Sequence, residues 1–301
     1  MTSDQAISKR LYQISLSRPV LVPLCLLILV VVARIVDIFF LPLAQATGEA
    51  ILHKALGFAL VVVYVWAVGQ PLAAIGLHSR ALGRALFIGA SGVILVLALA
   101  FGVQWLVLRA GGDEATLVVQ AIDSMTGLVR PELTFALYLV VGNFVNSFME
   151  EGLFRGIMLT HFRVRLSPWR ANLLQAILFG LWHLTWPIWR LIHGQADLAT
   201  TASQGLFVVI GASVTGLAYG YLYLKTDSLW ASWIAHTINN TTLNVLHFRT
   251  AGGLDANVVI LQAVLGLGYL ALLLWTKMWA RRLRMPELRP WGSATRPEWA
   301  D

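Results

Sequence analysis

Two adjacent acids, Glu150 and Glu151, stand inside an apolar stretch of sequence, with Arg155 four residues further on. His183 follows Phe179 by four residues and His236 precedes Asn240 by four, each pair again in apolar surroundings. On a helix turning about 100° per residue, positions i and i+4 share a face. Glu151 therefore faces Arg155 in the favourable acid-then-base order, while Glu150 points about 100° away from that pair. On Glu150's own face Asn143, Asn146 and Ser147 come before it, and Asn244 continues the row begun by His236 and Asn240. Peptide hydrolysis needs a base for water, a group that places the water, and donors for the oxyanion. Glu150 can serve as the base, His183 as the water-orienting group, and His236 with Asn240 as the oxyanion donors. Glu151 and Arg155, neutral as a pair, anchor the helix instead of reacting.

The elements that must carry these groups are membrane helices. Of 301 residues, 58% are hydrophobic and only 12% charged, and the mean hydropathy of +0.72 is too high for polar surface to cover in a soluble fold. Apolar stretches of spanning length lie near 20–43, 55–77, 84–109, 133–162, 171–190, 204–224, 228–247 and 257–279. The expectation is an all-α polytopic bundle of about eight transmembrane helices, the fourth bracketed by Pro131 and Pro168. Among the carboxylates only Asp37, Glu150 and Glu151 lie well inside spans, where an ionisable group is costly unless it faces a polar interior. At about 1.5 Å per residue, Glu150, His183 and His236 sit roughly 20, 18 and 12 Å from one end of their helices. Three helices can thus meet in one intramembrane chamber. Arg34 and Asp37, three residues apart, read as a local structural pair, and His53 and His247 as residues of span ends.

Orientation follows from the loops. Fifteen of the 22 Lys and Arg fall on one side: Lys9, Arg10 and Arg18, then Arg80 and Arg84, then Arg163, Arg165 and Arg170, then Lys225, and finally Lys277, Arg281, Arg282, Arg284, Arg289 and Arg296, with Arg84 and Lys277 counted at their span ends. Five fall on the other, Lys54, Arg109, Arg130, Arg190 and Arg249. Positive side chains stay in the cytoplasm, so both termini are expected there. Residues 1–19 form a cytoplasmic segment, 20–280 the bundle, and 281–301 a solvated tail. Residues 110–130 read as an amphipathic segment at the opposite interface or as a loop. The net charge of +7 arises from separated loops, not from one stripe with stacking aromatics, so no nucleic-acid partner is expected. The single Cys25 leaves no room for an internal disulfide or a cysteine-based zinc motif.

Glu150-Glu151-Gly152-Leu153-Phe154-Arg155 has the form EExxxR, Phe179 to His183 the form FxxxH, and His236 to Asn240 the form HxxxN. Together and in this order they resemble the CAAX protease and bacteriocin-processing (CPBP, or Abi) family of intramembrane glutamate endopeptidases, over roughly residues 130–250. The resemblance implies a metal-free intramembrane endopeptidase of eight helices, integral to a bacterial cell membrane. Glu150 and His183 would activate water, His236 and Asn240 would form the oxyanion hole, Glu151, Arg155 and Phe179 would support them, and the substrate would be a membrane-associated peptide or protein. Other readings of the same residues stay open. Glu150, His183 and His236 could ligate zinc with Glu151 as the base. The chain could also be a transporter, or a non-catalytic immunity or scaffold protein. A presenilin-type aspartyl site is set aside because no GxGD occurs, and a rhomboid-type serine site is set aside with it. Substrate identity and oligomeric state are not written in the sequence.

Overall fold

A computed structural model of the chain describes residues 3–123, 129–130, 132–254 and 258–293. Pro131 and Arg296 lie outside the described residues. The chain opens with α1 (Ser3–Ser17) and α2 (Leu21–Phe39), followed by the short α3 (Leu43–Thr47), α4 (Leu52–Ala67) and a 3₁₀ turn at Leu72–Ile75. The long α5 (Leu82–Ala110) leads to the strands β1 (Thr116–Val119), β2 (Ala121–Ile122) and β3 (Val129–Arg130). α6 (Leu133–Glu150) then runs without interruption through a π-helical segment, Glu151–Leu159, into α7 (Thr160–Phe162). α8 (Pro168–Trp182), α9 (Thr185–Ile192), α10 (Leu198–Thr226) and α11 (Leu229–Val245) follow, then β4 (Leu246–Thr250), β5 (Gly253–Leu254) and α12 (Val258–Arg282).

Five of these elements are long and apolar enough to cross a bilayer: α2, α5, the continuous helix 133–162, α10 and α12. Together they make an integral membrane protein. Three of the eight stretches read as spans are shorter, α4 with 16 residues, α8 with 15 and α11 with 17. The reason is local in two of them. Pro187 has no N–H to give the carbonyl of His183, so the stretch 171–190 breaks at His183 into α8 and α9, and hydrogen bonding resumes from Ile188 to Leu184. α11 ends where the chain turns extended at Leu246.

The stretch 110–130 is neither a plain loop nor a helix. β1 pairs antiparallel with β4 in the register Thr116 to Arg249 and Val119 to Leu246, β5 extends that sheet, and β2 pairs with β3. Threonine and valine suit a pleated, half-buried ribbon, and pairing with the strand that extends α11 fixes the ribbon to the end of a helix that carries His236.

At the opposite end the basic loops come together. Leu229 N–H donates to the Gly76 carbonyl, Arg84 to the Leu283 carbonyl, and His78 Nε2 to the Asp227 carbonyl. The segment after α12, expected to be solvated, is docked there: Leu288 and Trp291 are buried, Trp291 Nε1 donates to Ser15 Oγ, and its indole stacks on His161. An indole gains more from that apolar slot than from water.

At the centre stands the π-helical segment, whose nine residues are all buried. It packs against α2, α4, α8, α10 and α11. α8 and α10 approach so closely that a Cβ on Gly220 would overlap the Asn172 side chain, and a Cβ on Gly89 of α5 would overlap the Ala231 carbonyl of α11. The helices bearing the polar residues are held at backbone contact.

Candidate active site

Glu150 is the last residue of α6 and Glu151 the first of the π-helical segment. Both are buried. Glu151 Oε1 lies 3.1 Å from Arg155 Nη1 and 2.8 Å from His236 Nδ1, so this carboxylate binds a cation of its own helix and an imidazole of α11 together. Arg155 also donates to the Gly216 carbonyl and lies over the rings of Phe179 and Tyr219, at 4.3 and 5.7 Å from their centroids. It is fully buried, and with Nε and Nη1 making no hydrogen bond among the described residues it relies on the ion pair with Glu151 and on the two rings.

Glu150 has a different environment. Its Oε1 accepts a hydrogen bond from Trp182 Nε1 at 2.9 Å, and its Oε2 lies 3.5 Å from His236 Nε2 and accepts no hydrogen bond from the described residues. His236 thus stands between the two acids, one ring nitrogen toward each. His183, half-buried at the break after α8, donates from Nδ1 to the Phe179 carbonyl at 2.8 Å. A carbonyl oxygen can only accept, so in the neutral ring the lone pair is left on Nε2. The Phe179 ring meets both imidazoles nearly edge-on, His183 at 4.8 Å and His236 at 6.0 Å between centroids. Phe179 is therefore the spacer that fixes two histidines from different helices about one point.

Asn240 lies one turn beyond His236, roughly 6 Å along the helix axis. Its Oδ1 accepts from Asn239 Nδ2 at 3.1 Å, which leaves its own amide N–H groups for another acceptor. Asn239 is held in turn by Tyr269 Oη, which donates to its Oδ1. Asn244 donates to Asn143 across the seam between α11 and α6 at 3.1 Å, and Asn146 and Ser147 are buried beside it. Glu150, Glu151, Arg155, Phe179 and His236 thus form one contact network. His183 joins it through Phe179, and Asn240 borders it through its helix.

Sequence reasoning missed two contributors. Trp182 reads as one more aromatic in a tryptophan-rich helix, yet it is the hydrogen-bond donor to Glu150; its place three residues after Phe179, on the same side of α8, was the available signal. Arg34 does not pair with Asp37. Asp37 Oδ2 instead accepts from both the backbone and the ring of His53, at 2.9 and 2.8 Å, and the Arg34 guanidinium lies 4.1 Å from the Trp182 ring centroid. His53 is buried with it, not placed at an interface. The chain also contains one GxSG sequence, Gly89-Ala90-Ser91-Gly92, the form associated with serine intramembrane proteases. It lies on α5, where Ser91 Oγ is bound to the Phe87 carbonyl and the two glycines make room for α11 and α12.

Among the described residues no cluster of three His, Cys, Asp or Glu has the geometry to hold a metal ion. Residues 132–242 match the family model described as Rce1-like, type II CAAX prenyl endopeptidase Rce1-like. This core, just over a third of the chain, is similar to the CAAX protease and bacteriocin-processing family. No curated protein and no solved structure matches the chain. The CAAX protease core takes in every motif residue from Glu150 to Asn240 and leaves Arg34, Asp37 and His53 outside it. The family match and the apolar helices together support a membrane-embedded protease of CAAX type.

Proposed function

We propose that the chain hydrolyses a peptide bond of a membrane-associated substrate by a glutamate mechanism. The observation that carries this reading is the asymmetry of Glu150: one carboxylate oxygen is fixed by Trp182, and the other, free of hydrogen bonds among the described residues, faces His236. A water between Glu150 Oε2 and His183 Nε2 would donate one hydrogen to each and turn a lone pair toward the scissile carbonyl. Glu150 takes the water proton as the C–O bond forms, and the carbonyl electrons move to oxygen. The proton then passes from Glu150 to the amine as the C–N bond breaks, leaving a carboxylic acid and a free amine.

The oxyanion is received by Asn240 Nδ2–H and His236 Nε2–H. His236 can donate from Nε2 while also donating from Nδ1 to Glu151 only as the imidazolium, so Glu151 acts at the oxyanion through His236. Each such donor contributes about 2.7–4 kcal/mol to the transition state. Arg155 keeps Glu151 in place. A cleft of about 400 Å³ between α9 and α10, lined by Trp186, Pro187, Arg190, Gln204, Phe207 and Val208, begins one turn after His183 and is the path we assign to the substrate. The basic end faces the cytoplasm, by the retention of positive loops, and the three shorter helices α4, α8 and α11 complete an eight-helix bundle in a bacterial cell membrane.

The test compares neo-termini in membranes carrying the wild-type chain with membranes carrying Glu150→Ala or Glu150→Gln. Cleavage products present with the wild type and absent with both variants support the reading; products that persist with Glu150→Ala end it. Exhaustive chelation of the purified protein separates the zinc alternative. Activity lost to chelation and restored by zinc would transfer Glu150 and the two histidines to a metal. A transporter would show Glu150-dependent ion flux without neo-termini.

A further inference from the structure

Arg34 is the one charged group of α2 and α4 that the network above leaves unexplained. It is 4% exposed, its Nε has no hydrogen-bond partner, and among the described residues no carboxylate lies within 4 Å of it. The neighbouring charges are matched with each other: Asp37 with His53, and Glu49 with Lys54 at 2.5 Å. Its charge is balanced only at a distance, by Glu150, Glu49 and Asp37. A buried guanidinium without a close counter-charge is costly, and within a membrane such a group marks a site.

Its position narrows the ligand. The guanidinium is close to Trp182, whose indole N–H binds Glu150, and it acts electrostatically on His183 as well. An arginine resting on an aromatic ring keeps its N–H edge for a planar, bidentate partner, which is the geometry of a carboxylate. Arg34 and Glu150 both contact the same indole, so a ligand group on Arg34 lies within the reach of a few extended residues, about 3.4 Å each, from Glu150. We infer that Arg34 binds a carboxylate of the substrate close to the scissile bond, either the C-terminal carboxylate or an acidic side chain, and so selects which peptides enter. This inference rests on the proteolytic reading of the chamber but is tested by binding, apart from turnover.

The experiment titrates the detergent-purified full chain by calorimetry with three probes: acetyl-trileucine as the free acid, the same peptide as its C-terminal amide, and the amide with aspartate at the middle position. The wild type should bind the free acid about tenfold more tightly than the plain amide, a difference worth about 1.4 kcal/mol. Arg34→Gln should bring that ratio close to one, and Arg34→Lys, which keeps the charge but not the fork, should reduce it to about threefold. If Arg34→Gln does not fold, the Lys variant decides. An aspartyl amide that binds like the acid identifies a side-chain carboxylate as the ligand; one that binds like the plain amide identifies the C-terminus. Glu150→Gln should keep the acid preference, so a failure of the proteolytic reading would leave this result standing. Equal affinity for acid and amide in the wild type, no binding of either, or a preference undiminished in the Lys variant overturns the inference. A purely structural Arg34 would change melting temperature without changing the ratio.

Discussion

The bundle contains two buried ionic clusters that differ in how their charges are matched. Between α2 and α4, Asp37 takes two hydrogen bonds from His53 and Glu49 takes Lys54. Each acid has its own partner, from the same helical hairpin or the loop within it. Around the π-helical segment, Glu150 and Glu151 share His236, while Arg155 pairs with Glu151 and Trp182 with Glu150; His236 stands 85 residues from Glu151 and Trp182 32 from Glu150. Both clusters keep buried atoms without a hydrogen bond among the described residues, Asp37 Oδ1 and His53 Nε2 in the first and Glu150 Oε2, Glu151 Oε2 and Arg155 Nε in the second. Of the unbonded oxygens of Glu150 and Glu151, Glu150 Oε2 is the one that faces a histidine nitrogen, at 3.5 Å. A cluster that only joins helices can be assembled within one hairpin. A cluster that must hold a reactive oxygen needs several elements to aim its neighbours.

Four substitutions sharpen or break that comparison. The largest effect is expected for Glu150→Gln, which should lower turnover by about 10²–10⁴-fold, the usual worth of a general base, with little change in melting temperature. A comparable fall in stability would make Glu150 a structural acid. Glu151→Ala strips a counter-ion from buried Arg155 and should cost about 3–5 kcal/mol in denaturant unfolding, with turnover lost as well because His236 loses its support. Asp37→Ala should cost about 1–3 kcal/mol through the unsatisfied His53 donors and leave the rate per folded molecule within about twofold. A rate loss matching that of Glu151→Ala would erase the distinction between the clusters. Trp182→Phe keeps a ring under Arg34 but removes the N–H to Glu150, and should slow turnover about tenfold, near 1.4 kcal/mol. An unchanged rate would mean that fixing Oε1 does not matter.

What could be read in the sequence was whatever depends on spacing along one helix. The acid-then-base pair of Glu151 and Arg155, the run from Asn143 to Ser147, and the helix carrying His236 and Asn240 all follow from turn geometry, and the folded chain brings them to a common interior. What depends on partners across helices was hidden. Arg34 and Asp37 are placed by turn geometry near one face, but His53 offers Asp37 two donors while Trp182 offers Arg34 a ring, and neither is visible from α2 alone. The strand at 116–119 finds its partner about 130 residues later, and the burial of Trp291 depends on Ser15 and His161 from opposite parts of the chain. The break at His183 had a signal in Pro187. The π-helical segment had none, since its composition suits an α-helix.

That segment makes chain length itself a constraint on the chamber. An α-helix that loses one residue turns everything beyond the gap by about 100° and draws it in by about 1.5 Å. A single-codon deletion between Glu151 and Leu159 would spare every motif side chain outside the gap. It would nonetheless swing Glu150 relative to the foot of its helix, whose end is pinned by His161 against Trp291. Insertions and deletions in this stretch should therefore be far less tolerated than substitutions among its apolar residues.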